Sequence, residues 1–283
     1  MHVSIPIDLT NPGQVLACLG LIEAVDSLIG PAEARFDWQD AGESRFFLKA
    51  EDSAQPVTDV IAFLAYAKVF ACAPHDASFP KIDSGSLHAM DTFPAQEPDV
   101  LSLPIRLQDC RDATSAQFGH WADGSGRDNF KLYAGNRSAL KIINDMLQAI
   151  QLLWKNQHDR LIGDPFGTLC SMGGSFNFDP RGAWTAIDTG YSLNDLKGQL
   201  QQKVMASPVL EILAAWGLEH ARPDKTSTRS YRYAVWDAYL PPHLARVAFS
   251  GHFTAVSQRQ FRFQLDMSGK NKIIRYAIEE NYS

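Results

Sequence analysis

Cysteine is scarce in this chain of 283 residues: there are four, at Cys18, Cys72, Cys110 and Cys170, with no C-x-x-C pair. Such spacing provides neither a disulfide framework nor a zinc-ligand set, so the thiols are expected to be buried, in a reducing cytoplasm. No run of about eighteen apolar residues occurs, so no membrane-spanning helix is expected. Met1-His2-Val3-Ser4-Ile5-Pro6 lacks the charged start and apolar stretch of a secretion signal. Nucleotide signatures are also missing. There is no Walker motif, and Gly124-Ser125-Gly126 lacks the preceding strand and the spacing of a dinucleotide fingerprint. Ser171 and Ser175 are not in a Gly-x-Ser-x-Gly elbow. His75-Asp76 and His158-Asp159 are His-Asp pairs of the kind metal phosphohydrolases use, but neither belongs to a larger ligand set. No catalytic residue, metal or cofactor is therefore assigned.

What the chain does contain is apolar material: 45% of residues, against 20% charged, enough for a full core with little room for long disorder. Its length fits one unit spanning 1–283, or two lobes at 1–157 and 158–283. Net charge is −6, which argues against a freestanding nucleic-acid binder, yet the charge is uneven. From Ala221 onward ten Lys/Arg face five Asp/Glu, so the tail carries about +5 and the remainder about −11. Ordinary scatter and a local basic face explain that asymmetry equally well.

Read in order, residues 2–9 alternate Val3, Ile5 and Ile7 with polar or small residues, which predicts a strand. Thr10 or Asn11 can cap a following helix, with Pro12 in its first turn. From Val15 to Leu28 the apolar residues make no one-sided stripe, which predicts a helix buried on most of its surface and stopped at Gly30-Pro31. Gly20 inside it costs about 1 kcal/mol against Ala and predicts close approach by another backbone. Two strands are predicted at 34–38 and 45–49, and a second helix at 57–70. Residues 75–100 read as a long surface loop. The stretch 101–107 reads as a strand placed at a sheet edge by Pro104. A polar loop covers 119–128, and a helix runs from Ser138 through Trp154. Residues 164–178 read as irregular, 184–192 as a short strand, 194–204 as a helix, and 208–217 as another. Strands at 231–239, 244–250, 259–266 and 272–278 form an antiparallel meander, turned at Pro241-Pro242 and Ser268-Gly269-Lys270-Asn271. Clustered strands with separate helices predict an α+β fold. Leu16-Ala17-Cys18-Leu19-Gly20-Leu21 echoes Leu213-Ala214-Ala215-Trp216-Gly217-Leu218. Four matches among six common residue types lie within coincidence, and the echo is read so.

The opening Asp-x-Thr-Asn-Pro-Gly-Gln-x-x-Ala-x-x-Gly-Leu-x-Glu, Asp8 through Glu23, resembles the Csb-type subunit of type I-U (also called I-G) CRISPR systems. Members of that family are often described as reduced relatives of the Cascade large subunit. Phe130-Lys131-Leu132-Tyr133-Ala134-Gly135-Asn136, Phe178-Asp179-Pro180-Arg181 and the stretch 208–223 are similar too, so the resemblance spans most of the chain. It implies a cytoplasmic, non-catalytic component of an RNA-guided surveillance complex in antiviral defence. Its partners would be other Cascade subunits, CRISPR RNA and target double-stranded DNA. The family brings no agreed catalytic site.

Three groups of residues are candidates for nucleic-acid contact. Lys131 with Asn136, Arg137 and Ser138 stands at a helix start, where free N–H groups and the positive dipole end attract phosphate. The stretch 222–233 mixes Arg222, Lys225, Arg229 and Arg232 with hydroxyls and two tyrosines, which suits backbone contact and base stacking. Arg259, Arg262, Lys270, Lys272 and Arg275 lie on the last predicted hairpin. A plain helix cap, a solvated loop and a charged edge strand that resists aggregation account for the same residues without nucleic acid. The reading is a Cascade-type subunit that contacts guide RNA or target DNA. The alternatives are a purely protein-contacting subunit and a stand-alone metal-dependent nuclease.

Overall fold

The computed structural model describes residues 2–39, 43–72, 104–119, 130, 132–133, 138–172, 174–182, 205–268 and 271–280. Strand β1 (Val3–Pro6) leads into helix α1 (Pro12–Leu28). Asn11 is the cap: its side chain accepts the Gln14 N–H at 3.2 Å, while Pro12 fills a first-turn position that needs no donor. Gln14 reaches back to accept the Asp8 N–H at 2.7 Å. Every residue from Pro12 to Val25 is buried, as the unpatterned apolar content predicts. The helix begins at Pro12, in the first-turn position expected for it. Strands β2 (Ala32–Asp37) and β3 (Arg45–Ala50) form a hairpin that β1 extends, in the order β1-β3-β2. Its inner face sets Ile5, Ala34, Phe36, Phe46 and Leu48 into the core.

Helix α2 (Pro56–Tyr66) ends before the predicted Phe70. Ala67 is already extended, at ψ 147°, and the chain passes directly into β4 (Ala67–Ala71). That strand pairs with β5 (Ile105–Asp109), which pairs with β6 (Ser115–Phe118). Strand β5 is therefore central and not the edge strand expected from Pro104. The proline precedes the ladder, so its missing N–H removes nothing from it, and its carbonyl accepts the Cys72 N–H at 2.9 Å. Helix α3 (Ala139–Asn156) buries one stripe: Ala139, Ile142, Ile143, Met146, Leu147, Ile150 and Leu153. A short helix α4 (His158–Gly163) follows, then a two-strand ladder of β7 (Cys170–Ser171) and β8 (Met205–Ala206).

Helix α5 (Pro208–His220) starts at Ser207, whose hydroxyl accepts the Leu210 N–H at 3.2 Å. After it come β9 (Asp224–Ser227), β10 (Ser230–Trp236), α6 (Pro242–Phe249), β11 (Gln258–Ser268), β12 (Asn271–Ile274) and β13 (Ile278–Glu280). These strands form an antiparallel sheet in the order β12-β11-β10-β9, with β13 also on β11. The fold is α+β, with an N-terminal strand and helix and a C-terminal antiparallel sheet. Residues 244–250, expected as a strand, are mostly helix. Pro242, Ala245, Ala248 and Phe249 are the buried positions, a helical repeat, and Pro241-Pro242 begins that helix. The predicted strand at 184–192, the helix at 194–204, the loop at 75–100 and most of that at 119–128 lie outside the described residues.

The echoed hexapeptides face each other. A Cβ on Gly20 would overlap the Leu213 carbonyl, and a Cβ on Gly217 would overlap the Leu16 carbonyl. Each glycine is the notch into which the other helix's Leu carbonyl fits, so α1 and α5 cross backbone to backbone at a local pseudo-twofold. The similarity set aside as coincidence is thus the packing signature of the central crossing. One hydrophobic core runs from Ile5 to Ala277. The Tyr233 hydroxyl donates to the Leu9 carbonyl at 2.6 Å and the Trp236 indole N–H to the Ala34 carbonyl at 2.9 Å, tying the C-terminal sheet to the N-terminal elements. Cys18 is buried, but Cys72 and Cys110 are exposed, contrary to expectation, because both follow the last residue of a β-strand. No helix among the described residues is long and apolar enough to cross a membrane.

Candidate nucleic-acid interface

The polar residues of the opening motif have folding duties. Asp8 accepts the Thr10 N–H at 2.9 Å, and Asn11, fully buried, donates to Asp179 Oδ1 at 3.1 Å while capping α1. Asp179 is itself buried and receives Arg181 in a fork, Nε to Oδ1 at 3.0 Å and Nη2 to Oδ2 at 2.6 Å. The same Arg181 Nη2 donates to the Phe166 carbonyl at 2.7 Å. From α5, buried Glu211 accepts the N–H groups of Phe178 at 3.2 Å and Asp179 at 3.1 Å. Burial, then the nearby Asp179 charge, push the Glu211 carboxyl up to about 8, against the pull of the backbone donors. At the far end of the motif, Glu23 on α1 takes Arg246 of α6 in a fork at 2.6 and 2.7 Å and lies 3.5 Å from His220 of α5. Burial lowers the His220 pKa, with Arg246 acting the same way and Glu23 opposing. Three of the four stretches that carry the family resemblance therefore meet at one junction that fixes the starts of α1 and α5. Charged groups this deep need partners, and each has one. Sequence reasoning did not single out Glu211 or Arg246, since their partners lie far away in the chain, and it quoted Asp179 only within a resemblance stretch, with no partner named.

The candidate cations divide into paired and unpaired. Arg232 and Arg262 stand opposite each other on β10 and β11, an unfavourable juxtaposition unless compensated. Asp224 supplies part of that, 2.9 Å from Arg232, and Glu280 the rest, 2.9 Å from Arg262 and 3.7 Å from Arg232. Arg259 pairs with Glu279 at 2.5 Å, and Arg275 with Asp266 at 2.8 Å. Arg222 is exposed and lies 5.9 Å from the centre of the Phe130 ring. Lys272 is half-buried on β12. Lys225 and Arg229 are exposed and have no ion pair among the described residues; Arg229 sits in the β9–β10 turn with φ 64°. Ser138 caps α3 as expected, accepting the Lys141 N–H at 3.2 Å. Lys131, Asn136, Arg137 and Lys270 lie outside the described residues, so the first candidate is represented by its cap alone.

No family model, curated protein or solved structure matches this chain.

For the nuclease alternative, His158 Nδ1 lies 3.2 Å from its neighbour Asp159, both exposed. No group of three or more His, Cys, Asp or Glu that could hold a metal ion occurs among the described residues. The pair His75-Asp76 lies outside them. On the C-terminal sheet Arg232 and Arg262 share the face opposite the buried Tyr233 and Phe261 and are held by carboxylates, Arg259 is held by Glu279 on the other face, and Lys225 on β9 and Arg229 in the following turn have no ion pair among the described residues.

Proposed function

We propose that this protein is a non-catalytic subunit of a type I CRISPR surveillance complex, contacting guide RNA or target DNA beside other Cascade-type subunits. In such complexes base pairing reads the sequence, while protein holds backbone and duplex shape. One observation carries the reading. The Asp8–Glu23, Phe178–Arg181 and 208–223 stretches, on which the resemblance rests, pack together at one junction, Asn11 to Asp179 to Glu211. A specific observation favours the second reading, a subunit that touches only protein: Arg232, Arg259, Arg262 and Arg275 are already neutralised within their own sheet.

Affinity capture of the protein from its native host, with mass spectrometry and RNA sequencing of the eluate, tests the proposal. Co-purification of CRISPR-associated proteins with short CRISPR RNA is the expected outcome. Recovery of the protein with no CRISPR component would overturn it. Recovery of the complex, with target binding unmoved by charge removal at Lys225 and Arg229, would leave the protein-scaffold reading.

A further inference from the structure

The outer face of the β4-β5-β6 sheet has a composition unlike the rest of this acidic chain. Register places Lys68 opposite Gln108, Phe70 opposite Arg106, and Arg106 opposite Gln117, with Ser115 beyond Gln108. The alternate residues Val69, Ile105, Leu107 and Phe118 point into the core side, so these six side chains share the outward face. Five of the six are exposed, Gln108 being half-buried, and Phe70 is 43% exposed. Arg106 lies over that ring, its guanidinium carbon 5.8 Å from the centroid. Among the described residues of these strands no carboxylate shares the face: Asp109, the acidic residue on them, is buried on the other side and paired with Arg111 at 2.6 Å. An apolar partner surface would leave Lys68, Arg106 and both amides without partners. A duplex would touch the cations but would find no use for an exposed ring on the edge strand β4.

We propose that this face binds single-stranded RNA. Phe70 gives a base a platform, Lys68 and Arg106 meet phosphates on either side of it, and Gln108, Ser115 and Gln117 offer hydrogen bonds to base edges and to the 2′-hydroxyl. The inference rests on the reading above only for identifying that RNA as the guide; the chemistry of the face stands without it.

The test is fluorescence anisotropy with the full chain at low salt, using a labelled short oligouridine, an oligothymidine and a DNA duplex. Oligouridine is expected to bind with a dissociation constant of about 10⁻⁶–10⁻⁴ M, ahead of the other two. Phe70→Ala should weaken it roughly five- to 150-fold, the worth of one stacked base, while Phe70→Tyr keeps it. Lys68→Ala and Arg106→Ala should each lower the log–log salt slope by about 0.7, the single-strand value per phosphate. All these positions are exposed, and unchanged melting curves will show that the variants fold. Absence of oligouridine binding, affinity unmoved by Phe70→Ala, tighter binding of oligothymidine or duplex, or equal competition by polyglutamate would each overturn the proposal. Capture of a CRISPR complex together with any of those results would sink this inference and leave the proposed function standing.

Discussion

Glu211 sits in an environment far from that of solution. Its carboxyl is buried beside the Asp179 carboxylate and holds a proton up to about pH 8, where the unfolded chain gives one up near 4.5. The folded form therefore binds the extra proton between those values. Stability from this group is fully present below the lower value and is lost as pH rises through the upper one. Chemical denaturation across that window should show unfolding free energy falling with pH, by at most roughly 1.4 kcal/mol per pH unit from this site. Glu211→Gln removes the proton and should flatten that component, although the amide nitrogen cannot accept from the backbone N–H groups that one carboxyl oxygen meets, which lowers stability overall. An unchanged slope in the variant would mean that the backbone donors keep Glu211 ionised in the folded protein.

Among elements, the α1–α5 crossing sets the geometry of the rest, and it rests on two missing side chains. Gly20→Ala or Gly217→Ala places a methyl group against a main-chain carbonyl that belongs to a helix and cannot rotate away. Each single variant should cost roughly 1–3 kcal/mol. For a chain of this size that is about 2–4 °C in melting temperature per kcal/mol, readable by calorimetry. The double variant should cost less than the sum, because the first methyl separates the helices where the second would sit. Strict additivity would mean that the two notches act separately. The need for close approach at Gly20 was legible in the sequence, since a glycine inside a buried helix has few other uses. Its partner was not, because four shared letters in six carry no geometry. The turn from α2 into β4 was hidden for a related reason. Val57, Val60, Ile61 and Leu64 set a helical period that continues plausibly through Phe70, and the switch to alternation shows only when Lys68 and Phe70 are seen exposed across from Gln108 and Arg106. Residues 244–250 misled in the opposite sense, with β-prone Val247 and Phe249 outweighing the helical spacing of Ala245 and Ala248.

At the scale of the whole molecule, the net charge of −6 and the basic tail pose the question of which cations are available to a polyanion. The sequence shows where Arg232, Arg259, Arg262 and Arg275 lie but not that Asp224, Glu279, Glu280 and Asp266 reach them, because cross-strand register decides those contacts. A paired arginine that shifts to a phosphate abandons its carboxylate, so its net gain is small; an unpaired one gives up only water. In reconstituted complexes that still assemble, Lys225→Ala and Arg229→Ala should therefore each reduce the log–log salt slope of target binding by about one unit. Arg232→Ala and Arg262→Ala should change that slope less and instead lower the melting temperature, since the first leaves Asp224 without its arginine and the second removes the nearer of Glu280's two partners. Affinity should fall alike for matched and altered flanking motifs, because backbone contacts carry no base information. Equal slope changes at all four positions would show that the sheet's ion pairs open on binding. Wild-type slopes at all four would remove this surface from nucleic-acid contact and assign the C-terminal sheet to protein neighbours.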